Sequence, residues 1–148
     1  MSGEKNVVRG AEGDSGDLGI VKMRVILPSG ATRGSFSVMD FSGGEGPWTV
    51  LHVHNHCEES FFVLEGSFTF TLKDEQVEVA AGDYVLVPRG TPHMIVGGPE
   101  GGRLLTFYVP GGNEEMFIEL SRLPPDSITD PAVRAAISAK YDSVPVQR

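Results

Sequence analysis

Three of the four histidines stand within five residues, in Leu51-His52-Val53-His54-Asn55-His56. On an extended segment, residues i and i+2 project to the same side, so His52 and His54 offer two imidazoles together. Neutral imidazole is the commonest metal ligand in proteins. The acidic pair Glu58-Glu59 follows after a short corner, and Glu59 opens the next strand, where its carboxylate can turn toward both rings. His93 comes after Pro88-Arg89-Gly90-Thr91-Pro92, a rigid turn that would hold its ring in place. His52, His54, Glu59 and His93 together suit one divalent transition metal ion: Fe, Mn, Ni, Zn or Cu. Four protein ligands leave one or two positions open on a five- or six-coordinate ion, and an open position distinguishes a catalytic site from a structural one. Glu58, of opposite parity to Glu59, belongs at the surface. His56 reads as a loop residue and Cys57 as an inert corner residue.

The elements that must position these groups have a period of two. Expected strands are Ile20–Leu27, Ser35–Phe41, Trp48–His54, Ser60–Leu64, Ser67–Lys73, Gln76–Val79, Tyr84–Val87, His93–Val96 and Leu104–Val109, with a tight turn at Glu65-Gly66. In Ser67–Lys73, Phe68, Phe70 and Leu72 share one face and Ser67, Thr69 and Thr71 the other, as in a half-buried antiparallel strand. Short strands punctuated by glycine and proline indicate an all-β sandwich or barrel. Residues 1–17 read as a mobile tail in which Val7 and Val8 could pair with a sheet edge, 18–112 as the barrel, and 113–148 as a helical extension. In that extension Glu114–Leu120 suits a short helix. Asp130 is a good N-cap, with Pro131 at the first helical position of a second helix running to about Tyr141. This second helix reads as a lid or brace on the outside of the barrel.

Two spacings resemble a known family. Gly46-x5-His52-x-His54-x4-Glu59-x6-Gly66 is similar to the first cupin motif, and Gly82-x5-Pro88-x-Gly90-x2-His93 to the second. The resemblance covers about residues 20–110. It implies a small cupin jelly-roll β-barrel with a short C-terminal helical segment, its metal held in the barrel by three histidines and one glutamate. The second motif usually ends in asparagine four residues after its histidine; here that position is Gly97.

Parity with the ligands turns Trp48, Val50 and Phe61 inward. With Phe41, Met39 and one face of Leu104–Val109, Trp48 and Phe61 imply a mostly apolar substrate pocket, better suited to an aromatic or polyketide-like molecule than to a sugar phosphate. The resemblance to quercetinase-like cupins implies a dioxygenase: a substrate hydroxyl or enol binds as its anion, O2 attacks the activated ring, and Glu59 serves as ligand and as proton acceptor. The resemblance to small cupins that shape polyketides implies instead a redox-neutral cyclase, isomerase or lyase using the metal as a Lewis acid. A non-catalytic small-molecule-binding protein is the third reading.

Bulk properties narrow the partners. A net charge of −8 repels phosphate backbones and anionic lipid, which argues against nucleic acid and membrane. The N-terminal residues lack the apolar core of a signal peptide. A single cysteine agrees with a reducing compartment, so a cytoplasmic protein is expected. A small-molecule substrate is the expected partner. Short antiparallel strands leave edges that need cover, and the apolar alternation of Ile20–Leu27 suggests a homodimer paired through sheets or N-terminal strands.

Overall fold

The computed structural model describes residues 6–147. Ten strands form one hydrogen-bonded sheet: β1 Ser15–Asp17, β2 Val21–Leu27, β3 Ser37–Gly43, β4 Gly46–Pro47, β5 His52–Val53, β6 Glu58–Leu72, β7 Glu75–Ala80, β8 Tyr84–Val87, β9 His93–Val109 and β10 Val144–Pro145. Three helices fall between the last two strands: α1 Glu114–Ser121, α2 Pro125–Ile128 and α3 Pro131–Ser138, the last followed by a 3-10 turn at Ala139–Tyr141. The architecture is the expected all-β fold with a short C-terminal helical segment.

β6 and β9 are the axis of the fold. Each was expected as two strands, and each is one strand bent in the middle. They pair antiparallel from Glu58↔Val109 to Leu72↔His93, with register shifts between Val63 and Glu65 and between Gly66 and Phe68. Bulges of this kind bend a strand and re-aim its side chains. In β6 the buried positions switch from Glu59, Phe61 and Val63 to Phe68 and Phe70, a change of parity across the bend. The rings of Phe61 and Phe70 lie 5.1 Å apart. Nine residues of straight strand would separate them by roughly 30 Å, so the bend closes the sheet over a single core. Gly66, expected in a tight turn, sits in this bend at φ +73°, and a Cβ there would lie 2.0 Å from the Gly101 carbonyl oxygen.

The first half of β6 pairs with β8 and the second half with β7, while β9 also pairs with β3, β4 and β5. β2 turns Val21, Met23 and Val25 into the core of its own chain. The alternation that suggested pairing between copies is therefore used within the barrel. Ser15–Asp17, expected as tail, pairs with β2 at Asp17↔Lys22 through Ser15↔Arg24. Val7 and Val8 are exposed and lie outside any strand, and residues 1–5 of the expected tail lie outside the described residues.

α3 begins as its sequence signals: the Asp130 carboxylate accepts from the Ala132 amide, with Pro131 at the helix start. No helix among the described residues is long and apolar enough to cross a membrane.

Candidate metal centre

Trp48–His54 is not one strand. β4 ends at Pro47, β5 spans two residues, and the chain between them is irregular. His52 nonetheless lies directly opposite His93 in the β5–β9 pair. Glu59 lies between Val87 of β8 and Tyr108 of β9. All four expected ligands are buried, and their ligand atoms lie within 4.8 Å of one another.

Each imidazole is held by its outer nitrogen. Nδ1–H of His52 donates to the Val50 carbonyl at 2.7 Å, that of His54 to Asp142 at 2.8 Å, and that of His93 to Thr91 at 2.9 Å. A proton on Nδ1 leaves the Nε2 lone pair free, which is the tautomer a metal takes. Nε2 of His93 lies 2.9 Å from Glu59 Oε1, and Nε2 of His54 lies 3.4 Å from the same oxygen. The buried His54 Nε2 makes no hydrogen bond in that contact. An orphaned ring nitrogen beside two more imidazoles and a carboxylate is the donor set of a divalent transition metal, so the residues fit the expected ion.

The electrostatics agree. Burial, reinforced by neighbouring His93, lowers His52 to about 4 and keeps it neutral at physiological pH. Burial alone would lower His54, but the adjacent Glu59 outweighs it and the net shift is upward. Burial would raise the Glu59 carboxyl, yet contact with His54 and His93 holds it well below its ordinary value. The site thus keeps one fixed negative charge among imidazoles. Cys57 is buried, and burial pushes its thiol up to about 12, consistent with an inert residue. Glu58 forms an exposed ion pair with Arg89, and His56 is exposed in the corner.

A cavity of about 580 Å³ opens beside the cluster, lined mostly by apolar side chains. Of the expected pocket residues, Trp48, Phe61 and Phe41 all line it. Trp48 packs edge-on against Phe68 and donates its indole N–H to the Gly44 carbonyl at 2.9 Å. Val50 departs from the parity expectation. It lies in the irregular stretch where period two no longer holds and is 66% exposed, although it also lines the cavity. Met39 is fully buried away from the cavity wall. Gly97 has a physical reason to lack a side chain, because a Cβ there would lie 2.8 Å from the Trp48 indole nitrogen and 2.4 Å from the Gly44 oxygen.

The C-terminal segment does more than brace the outside. Met116, Phe117 and Leu120 of α1 and Ala135 and Ser138 of α3 line the cavity. β10 pairs with β5 at Pro145↔His52 and Val144↔Val53. Asp142, at φ 58°, accepts the amides of Asn55 and His56 on its carboxylate while its carbonyl holds His54. None of this was legible beforehand, since no local pattern ties residue 142 to residue 54. Tyr108 was missed as a site residue too. Fully buried, it lines the cavity, and burial, the Glu59 charge and a hydrogen bond to Glu59 keep its hydroxyl protonated. Its inward place on Leu104–Val109 was the available signal.

Comparison with known proteins agrees with this geometry. Residues 37–108 match the cupin domain family. The chain is 30% identical over 111 residues to quercetin 2,3-dioxygenase of Bacillus subtilis (strain 168), covering 75% of this chain and 33% of that protein. It spans between a third and two-fifths of the length of the curated relatives it matches. Among solved structures, the polyketide cyclase RemF from Streptomyces resistomycificus is 27% identical, with a TM-score of 0.55 over 71% of this chain and 75% of that one. KdgF from Halomonas sp. is 16% identical, with a TM-score of 0.65 over 73% and 96%, a likeness of fold alone. The chain belongs to the cupin family, as a single small cupin domain whose buried His52, His54, Glu59 and His93 could hold a metal ion.

Proposed function

We propose that this cupin is a metal-dependent enzyme acting on a small aromatic or polyketide-like substrate, as a dioxygenase. One observation carries the reading: three imidazoles, each tied back through Nδ1, converge with Glu59 beside a mostly apolar cavity. The likeness to quercetin 2,3-dioxygenase supports the reaction class. His52, His54, Glu59 and His93 would hold the ion. Bound there, an ion would supply Lewis acidity and, if redox-active, a route for electrons to O2.

The chain's own residues do the rest. Trp48, Phe61 and Phe41 form walls on which a flat ring packs. Glu59 accepts the proton of a substrate hydroxyl or enol, and the protonated Tyr108 hydroxyl, hydrogen-bonded to Glu59, steadies the charge that passes. Helices α1 and α3 flank the cavity and limit water.

The likeness to RemF supports the alternative of a redox-neutral cyclase using the ion only as a Lewis acid. Elemental analysis of the purified protein, with O2 uptake on a flavonol, separates the two. A redox-active metal with O2 consumption supports the dioxygenase. Zinc with no O2 consumption favours the cyclase, and a protein that binds no divalent metal defeats both. We also propose a homodimer and a cytoplasmic setting, the first on the exposed apolar outer face of β6 and β8 and the second on the unpaired Cys57.

A further inference from the structure

Among the described residues the cavity wall contains one lysine or arginine, Arg134 of α3, an element that contributes no candidate metal ligand. Arg24 and Arg103 face Asp40, Arg89 faces Glu58, and Lys140 faces Glu119. Arg134, by contrast, makes no ion pair among the described residues. Its guanidinium has one side-chain hydrogen bond, a long one of 3.4 Å from Nη1 to the Ile128 carbonyl. A guanidinium carries five N–H donors in a rigid fork, so most of its donors remain unused. Burial lowers its pKa with no carboxylate opposing the shift.

A partly buried cation without a counter-charge is costly, and in a mostly apolar cavity, on the side away from the candidate metal ligands' own elements, it would favour an anion. The whole chain carries a net charge of −8, so without Arg134 the protein's field would disfavour an acidic ligand. Glu59, the cavity's carboxylate, is already engaged by His93 and His54.

We propose that Arg134 forms an anion subsite in the substrate cavity, and that the substrate is an apolar ring-bearing acid whose carboxylate or equivalent anion the guanidinium binds. The proposal rests on this cavity being the substrate site but not on any particular metal chemistry. The guanidinium fork donates to two anion oxygens while the rings pack against Phe41 and Phe117, which stack edge-to-face at 4.9 Å on the cavity wall.

The test compares two fluorescent probes with the same ring system, 1-anilinonaphthalene-8-sulfonate and the neutral N-phenyl-1-naphthylamine. Each is titrated into the full chain with metal and after chelation, and mutual competition establishes a shared site. Arg134→Gln should weaken the sulfonate probe by about tenfold and leave the neutral probe within about twofold, and Arg134→Lys should restore part of the loss. The same pattern after chelation keeps the result separate from the metal-enzyme reading. Unchanged sulfonate affinity in Arg134→Gln would overturn the subsite. So would an equal loss for both probes, which would make Arg134 a packing residue only.

Discussion

At the scale of single residues, the centre depends on nitrogen atoms facing the right way more than on proximity. His52 is held by its own strand through Val50 and lies opposite His93. Replacing it with alanine removes one candidate ligand and leaves the long β6–β9 pairing untouched. His52→Ala is expected to lose metal, read by elemental analysis, while keeping its β-sheet circular dichroism. Loss of that spectrum at room temperature would make the metal structural. Phe61 packs edge-to-face on Phe70 and also lines the cavity. Phe61→Leu keeps an apolar side chain of similar reach and is expected to destabilise by about 1–2 kcal/mol. Metal content should stay normal while affinity for an aromatic probe falls, so unchanged probe affinity would assign Phe61 to core packing alone.

At the scale of elements, the C-terminal strap and the ligand corner hold each other. Asp142 accepts two backbone amides of the corner and its carbonyl orients His54, and the following residues add β10 to β5. Outer partners of this type are typically worth about 10- to 100-fold in metal affinity. Asp142→Ala removes both carboxylate contacts and disfavours the left-handed backbone at that position. It is expected to weaken metal binding by about tenfold, and Asp142→Asn, which tolerates that backbone and keeps one acceptor, to recover most of it. Competition with a metallochromic chelator reads both.

Glu114, at the start of α1, accepts the Ser29 amide at 2.7 Å and the Gly112 amide at 2.8 Å, docking the helix on the barrel. Burial would raise its carboxyl, but the hydrogen bonds from Ser29 outweigh it and hold the value below 4.5. A depressed folded value means the carboxylate stabilises above the unfolded value near 4.5 and loses that contribution as pH falls through the folded one. Glu114→Gln puts an amide donor against one of two backbone donors and should cost about 1–2 kcal/mol at pH 7. Urea midpoints of the two proteins should converge on acidification, and a pH-independent gap would mean the charge is not what docks α1.

At the scale of the whole molecule, the barrel covers its own first edge with β1, yet the outer face of β6 and β8 stays apolar. Tyr84 is 58% exposed, Leu86 56% and Phe62 36%, with Phe62 directly opposite Tyr84. Contiguous exposed apolar groups of this kind favour association. Sedimentation is expected to give a dimer of the 15.9 kDa chain at micromolar concentration, and Leu86→Lys to shift it toward monomer. A wild-type monomer would refute the dimer.

Much of the barrel and the four candidate ligands are legible in the sequence, for a local reason. Period-two burial, the i, i+2 imidazoles and the glycine and proline turns are properties of short stretches, and together they place His52, His54, Glu59 and His93. What failed did so where local rules stop. The bends merged expected pairs of strands into β6 and β9, because a bulge is settled by which strands must close over one core. The irregular chain between β4 and β5 turned Val50 outward although Trp48 stayed buried. Tyr108, Arg134 and Asp142 reach the cavity or its ligands from elsewhere in the chain, by register and helix docking. The sequence by itself determined the cluster of His52, His54, Glu59 and His93 and the alternation that buries it. Tertiary structure alone decided what surrounds that set, because contacts between distant residues come from the energy of closing the whole barrel and leave no local pattern to read.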